Sequence, residues 1–399
     1  MATSTDPGVR VTTARRWSML GASTLAQAAA AVMMHGPAFL IPVLHDREGL
    51  SLARAGLVAA SPTIGVMLTL VLWGALTDRR GERFVLMTGL AATSVLGAAA
   101  ALSGSLVALA VALFLAGATA ASTNSASGRV VVGWFPPERR GLAMGVRQMA
   151  QPVGVGVAAV SIAVVADARG VYAALWVPTL ACLVALVVVA VVVVDPPRPD
   201  ARTAAAVPNP YRSDRYLARI HAVSVLLVVP QFLVWTFALV WLVQDRGWAP
   251  AAAGSLVAGA QIGGALGRIA AGALSDRVGS RLRPLRWVAL AAATTMAALG
   301  LTAGLGWALA VALMVVATVL TVADNGLAFT AVAERSGPFW SGRALGVQNT
   351  AQFLTASAVP PVAGLVVTHA GYAAAFALAA LFPVVAAPLV PVRDERRLS

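Results

Sequence analysis

The sequence predicts an all-α membrane protein of twelve transmembrane helices arranged as two pseudo-symmetric six-helix bundles. Three observations carry that expectation. The 399-residue chain is 59% hydrophobic and only 11% charged, with a mean hydropathy of +0.81, and its apolar stretches repeatedly reach the ~20 residues that a helix needs to cross a bilayer core. Charged or Pro/Gly-rich breaks divide those stretches into twelve. Blocks of the first half also recur, in order, in the second.

Taken in order, the predicted spans fall near 18–43, 53–77, 84–102, 106–133, 142–166, 171–194, 219–243, 251–275, 287–303, 307–332, 344–368 and 372–392. The opening MATSTDPGVRVTTARRW lacks the cleavage pattern of a secretory signal, so the first span is expected to stay in the bilayer. Spans 9 and 10 are separated by little more than GLG, the shortest break. Arginine supplies all 29 basic residues; with the N-terminus inside, 22 of them fall in cytoplasmic segments and 4 (Arg47, Arg54, Arg169 and Arg246) outside. That asymmetry places both termini in the cytoplasm of a multi-pass protein of the bacterial cell membrane. It also accounts for the net charge of +13, which reads as an orientation signal and excludes a nucleic-acid footprint. The single cysteine, Cys182, sits in an apolar run and offers neither a disulfide framework nor a cysteine metal site. No cofactor and no metal are expected.

The longest interior polar segment, DPPRPDARTAAAVPNPYRSDR at 195–215, reads as a linker between two halves. The expected organisation is an N-terminal six-helix bundle over 1–194, a cytoplasmic linker over 195–217 and a C-terminal six-helix bundle over 218–399. The halves are related by sequence. Gly74, Leu76, Asp78, Arg79, Gly81 and Arg83 align with Gly272, Leu274, Asp276, Arg277, Gly279 and Arg281 at a constant offset of 198. AGLVAASPTIG at 55–65 falls on AGSLVAGAQIG at 253–263 with a one-residue slip, and GLAMGVRQMAQ at 141–151 matches GRALGVQNTAQ at 342–352 in six of eleven positions, at offset 201. Same-direction repeats of six spans are the layout of one large class of secondary transporters.

Twelve spans, a duplication, and G-x-L-x-D-R-x-G-x-R between spans 2 and 3 and again between 8 and 9 resemble the major facilitator superfamily over essentially the whole chain. The resemblance implies a transporter working by alternating access, in which this loop latches the two halves on the cytoplasmic side. Asp78 and Asp276 stand just past helix ends beside arginines, placed for charge-assisted hydrogen bonds or for the positive N-terminus of a neighbouring helix. The alternative is a turn that only obeys the positive-inside rule, yet that rule would not set an acid at the same place twice. Glu82 and Ser280 stand where the family often carries a basic residue, so a weaker or differently paired latch is expected.

Polar groups within the spans are where substrate chemistry should show, because a charge at mid-helix costs about 2.5–3.5 kcal/mol on insertion scales. The candidates are His35, Asn124, Arg129, Arg147, Gln148, Gln151, Gln231, Gln261, Arg268, Asp324, Asn325, Gln348, Asn349 and Gln352. Asn124 and Asn325 are repeat partners at offset 201, as are Gln151 and Gln352. Arg129 lies five residues before the break at Trp134, within reach of snorkelling to the interface. Arg147 shares a helix face with Gln151. Arg268 lies eight residues before Asp276, roughly 12 Å deep at 1.5 Å per residue, and Gln261 shares its face; a structural ion pair with Asp324 is the competing role. GRIAAGALSDRVG at 267–279 resembles span 8 of the anion-handling branches, the monocarboxylate and oxalate/formate carriers and the nitrate porters. That resemblance makes Arg268 the anion's partner. The nitrate branch carries a second arginine where Leu70 stands here, which disfavours nitrate.

Three functions stay open. The first is a proton-coupled or exchange transporter of a small organic anion, with Arg268, Asn124, Asn325, Gln261, Arg147, Gln151 and Gln352 binding substrate and Asp324 or His35 carrying the proton. The second is a proton-driven exporter of drugs or metabolites with a broad cavity lined by Met33, Trp235 and Phe237. The third is a non-transporting receptor, which the short termini disfavour. A membrane enzyme is not expected, since no catalytic constellation or phosphate loop appears. The expected partners are a small anionic substrate, protons or a counter-substrate, and the lipid bilayer; a monomer is expected.

Overall fold

The computed structural model of the protein describes residues 11–196 and 208–395. Positions 197–207 of the predicted linker, and Arg10, Arg198, Arg202, Arg396 and Arg397 of the orientation tally, lie outside the described residues. Among the described residues the regular structure is helical, with no strand.

Ten helices follow the predicted spans in order: α1 Thr13–Asp46, α2 Ala53–Arg80, α3 Glu82–Ala101, α4 Leu106–Trp134, α5 Pro137–Arg169, α6 Val171–Val192, α7 Tyr216–Gln244, α8 Pro250–Val278, α9 Leu282–Gly304 and α10 Leu309–Ser336. The last apolar stretch, Ser341–Asp394, runs on for 54 residues. It is broken at Gly371, whose φ of 79° no helix admits and few side chains would tolerate. It therefore holds α11 over 341–370 and α12 over 372–389, followed by the 3-10 turn Val392–Asp394, which completes the twelve spans. The short GLG break is real, since α9 stops at Gly304 and α10 starts at Leu309.

Hydroxyl caps open several of these helices. Thr12, Ser51 and Ser105 accept from the backbone N–H groups of Arg15, Arg54 and Ala108 at 3.3, 3.4 and 3.2 Å, satisfying first-turn donors that the helix cannot reach itself. The chain divides into two compact units. The first is Met1–Phe135, Val153–Pro208 and Gly337–Gly346; the second is Pro136–Pro152, Asn209–Ser336 and Val347–Ser399. Each unit thus takes in a short segment from the other half of the sequence: the start of α11 belongs to the first unit and the start of α5 to the second.

Packing within each unit relies on small residues, because lipid removes most of the hydrophobic drive between helices. In the first unit α2 and α4 touch backbone to backbone: a Cβ on Gly117 would lie 2.0 Å from the Pro62 carbonyl oxygen. In the second unit a large apolar core joins α7, α9, α10, α11 and α12, with Trp241 set edge-on to Phe376 at 5.6 Å between ring centroids and Met296 and Met314 filling around them.

Candidate functional site

Both copies of the loop motif do the same thing, each inside its own unit. In the first unit the buried Asp78 carboxylate accepts the N–H groups of Gly342 and Arg343 at 2.8 and 3.0 Å, together with Arg343 Nε at 3.0 Å and Arg129 Nη1 at 2.8 Å. In the second, Asp276 accepts the N–H groups of Gly141 and Leu142 at 3.0 and 2.8 Å and pairs with Arg281. Asp78 therefore sits on the positive first turn of α11, and Asp276 sits one turn further in along α5, which starts at Pro137. One turn earlier on each acid's helix, a Cβ on Gly74 would stand 2.2 Å from the Gly342 oxygen, and one on Gly272 2.1 Å from the Gly141 oxygen. Only glycine lets the two backbones come close enough for the acid to reach its donors.

The two copies differ in how the remaining charges pair. Arg129 is 5% exposed and bonds both Asp78 and Glu82, the latter at 2.7 Å, so of the two readings left open for it the structure favours a buried, paired arginine over one that reaches out to the interface. Glu82 fills the place where the family often carries a base by pairing with that arginine. In the second unit Arg281 is 1% exposed and lies between Asp276 and Glu334, 3.3 Å from the latter. Burial works against its charge, and Glu334 and Asp276 more than offset this, holding its pKa above the usual arginine value. Arg79 and Arg277 are exposed, and neither takes part in these bonds. Two further acids were not singled out from sequence. Asp195 accepts the Arg83 N–H at 2.8 Å, and Glu395 accepts from Ser280 Oγ and from the N–H groups of Arg281 and Leu282, the last at 3.0 Å. They close the starts of α3 and α9, and their offset of 200 was the signal available in the sequence.

The second unit also holds a buried polar cluster. Arg268 on α8 donates from Nε to the Val322 carbonyl at 3.3 Å and from Nη1 to the Gln148 carbonyl at 2.6 Å. Among the described residues no carboxylate lies within ion-pair distance of it. Asp324 on α10 is 1% exposed, and both its oxygens are buried without a hydrogen-bond partner. The structural ion pair weighed between these two is therefore not formed. Arg147, fully buried, donates to Gln148 Oε1 at 2.8 Å and lies 5.5 Å from the centroid of the Phe329 ring, a cation–π distance. Asn325 Nδ2 donates to Gln231 Oε1, and Gln352 Nε2 to Asn325 Oδ1, each at 3.0 Å. Gln261 lines a small cleft with Gln231, Trp235, Thr318 and Thr321. Gln151 stands on the α5 segment of the same unit.

Behind this cluster runs a hydrogen-bonded series that joins the candidates Gln348 and Gln352 to three residues that sequence reasoning missed, Ser224, His221 and Tyr211. Gln352 and Gln348 both donate to Ser224 Oγ, Gln348 Oε1 meets His221 Nδ1, and His221 Nε2 meets the Tyr211 hydroxyl at 2.9 Å. Tyr211 lies before α7, and burial pushes its phenol up to about 12. The signal in the sequence was the 221, 224, 231 spacing on α7, one helical face.

In the first unit, Asn124 lies within the buried α4 stretch Ser122–Ser127, where Ser127 donates to Gln27 Oε1 at 2.9 Å, and His35 is half-buried on α1. Met33, expected to line a broad cavity, is buried against α3 beside Gly97. Among the described residues no three His, Cys, Asp or Glu side chains converge as metal ligands.

Comparison with known proteins gives the context. The sequence profile described as Major Facilitator Superfamily matches residues 21–360. An uncharacterized MFS-type transporter of Mycobacterium tuberculosis is 48% identical over 381 residues, which cover 95% of this chain and 85% of that protein. A hexuronate transporter of Bacillus subtilis is 29% identical over 113 residues, 28% of this chain and 27% of its own length. The crystal structure of the Escherichia coli fucose:proton symporter superposes with a TM-score of 0.74 at 14% identity, over 94% of this chain and 98% of that one.

Proposed function

The chain belongs to the major facilitator superfamily, a family of secondary membrane transporters, and from that premise we propose that it carries a small organic anion of the monocarboxylate kind, coupled to protons or by exchange. The observation that carries this reading is Arg268, a guanidinium 6% exposed whose hydrogen bonds go to two backbone carbonyls. Asp324 acts on it through space but makes no contact ion pair with it, and a buried charge left without an ion pair is costly. A substrate carboxylate supplies that pair through two parallel hydrogen bonds. Asp324, whose carboxylate oxygens are buried without a hydrogen-bond partner on the neighbouring helix, is read as the group that exchanges the proton, with His35 as runner-up. The hexuronate transporter's name adds modest support, since a hexuronate is an organic anion.

Binding would also act on the latch. The α5 segment of the second unit is held near its start by Asp276 at Gly141 and Leu142, by Arg281 at the Pro137 carbonyl and by Arg140 beside Glu334, and further along by Arg268 at the Gln148 carbonyl. A carboxylate that takes both terminal nitrogens of Arg268 displaces Gln148 and leaves the segment held only near its start, so substrate promotes its release and the change of access. The protein is read as a monomer of the bacterial cell membrane with both termini cytoplasmic. The competing reading, proton-driven export of drugs or metabolites, draws on Trp235 and the neutral amides that line the small cleft.

A thermal-shift screen against small carboxylates, inorganic anions and cationic drugs identifies ligands, because one that binds only the folded state raises its melting temperature. For a carboxylate hit, Arg268→Lys should weaken binding markedly and Arg268→Ala abolish it. Undiminished binding to the Arg268→Ala protein removes the anion reading and leaves export.

A further inference from the structure

The arginine-rich ends of α7, α9 and α12 enclose a pocket in the second unit that plays no part in the latch or the buried cluster. Its walls include Arg219, Arg286, Arg393, Asp394, Pro388 and Pro391. We propose that this pocket binds the phosphodiester headgroup of an anionic phospholipid.

Charge is the first argument. Three guanidiniums face one carboxylate, and that carboxylate is engaged: Asp394 Oδ2 accepts from Arg219 Nη1 at 3.2 Å, while Arg219 Nε donates to the Leu389 carbonyl at 2.9 Å. Arg219 is thereby fixed as part of the wall. Arg286 and Arg393 are exposed, and among the described residues neither makes a hydrogen bond or ion pair. The pocket keeps a surplus of two positive charges with free donors, the complement of a phosphodiester. Guanidinium suits that partner through its planar pairs of N–H groups.

Position is the second argument. Arg286 begins an outward face of α9 that continues as Trp287 and Leu290, 50% and 47% exposed. On α12 the outward face below the pocket is Leu378, Leu381 and Val385, all exposed. In a membrane-spanning chain such apolar faces meet acyl chains, and a tryptophan at their end marks the headgroup level. A ligand seated here must satisfy arginines at one end and a hydrocarbon surface at the other. A phospholipid does both, whereas a free phosphate uses only the first. Basic pockets between helix ends are a recognised way of holding anionic headgroups.

The test uses full-length protein in neutral detergent, titrated with phosphatidylglycerol or phosphatidylcholine in mixed micelles while the melting temperature is followed. Phosphatidylglycerol should raise it further than phosphatidylcholine at equal mole fraction. Arg286→Gln with Arg393→Gln should weaken the apparent affinity about 25-fold, from about fivefold per basic residue near the surface, and erase that difference. Both side chains are exposed and unbonded, so the variant should match the parent's melting temperature in phosphatidylcholine. Arg139→Gln with Arg212→Gln removes the same charge elsewhere on the arginine-rich loops and should keep the difference. Equal responses to the two lipids, or an equal loss in that control pair, overturn the proposal. Soluble glycerol 1-phosphate that reproduces the full shift at the same concentration overturns it in favour of a free phosphate.

Discussion

Asp78→Asn tests the latch where its geometry is most complete. The native carboxylate accepts four hydrogen bonds, two from backbone N–H groups and two from arginines. An asparagine keeps one acceptor oxygen and turns an amide N–H₂ toward the remaining donors, so about two charge-assisted bonds are lost, at roughly 1.5–3 kcal/mol each. Arg343 is 32% exposed and recovers water, and Arg129 keeps Glu82. The net loss should then be about 3 kcal/mol, a factor of about 10² in the population docked. A cysteine at Ser341, 2% exposed in the docked start of α11, reports it. The only native cysteine, Cys182, is fully buried, so it reacts only if the protein unfolds and serves as an internal control. In membranes treated with a maleimide, Asp78→Asn should speed labelling of Ser341→Cys about 100-fold without labelling Cys182, and should impair turnover while ligand binding survives. Labelling and transport that match the parent would reduce the loop to a topology signal.

Three further outcomes follow from the same geometry. Gly272→Ala drives a methyl into the Gly141 carbonyl, 2.1 Å from the ideal Cβ position; it should lower stability by about 1–3 kcal/mol, read as a drop in melting temperature, and an unchanged melting temperature would show the two helices free to part. Glu395→Gln leaves Ser280 and the N–H groups of Arg281 and Leu282 on a neutral acceptor, so amide exchange at the start of α9 should accelerate about tenfold, for a loss of about 1.4 kcal/mol; equal exchange would remove its role as a cap. Asp324→Asn should abolish accumulation driven by a pH gradient while sparing exchange of substrate down its own gradient, and an unaltered pH dependence would move the proton to His35 or to no side chain.

The spans were legible because they depend on the bilayer, which imposes one length and one polarity on every segment. Even the weakest break, GLG, appears in the structure, since Gly306 with its φ of 74° closes a turn that other residues resist. The repeated acids were legible for a related reason: a charge kept at equivalent points of a duplicated sequence has a shared geometric task. What escaped was pairing. Depth alone set Arg129 near an interface, but depth does not tell whether an acid waits within reach, and Glu82 was read as a departure from a pattern before it could be read as that arginine's partner. Asp195 and Glu395 escaped because each lies just past its span, where a charge needs no explanation.

The pairing gives the two repeats different strengths built on one plan. In the first unit Asp78 neutralises two arginines and a helix N-terminus by itself, with Glu82 sharing only Arg129. In the second unit Arg281 divides its bonds between Asp276 and Glu334, and Glu334 also lies 3.5 Å from Arg140. Loss of Asp276 would leave Arg281 a carboxylate, whereas loss of Asp78 leaves Arg343 none. The first set of contacts therefore rests on one residue and the second on a network of two acids and two arginines. The α5 segment held by that network is also the one tied to Arg268 through Gln148. Under the proposed function the networked set is the one placed within reach of the substrate, and the single-residue set holds the start of α11. An anion bound at Arg268 would then loosen the α5 segment first, with the Asp78 contacts still made.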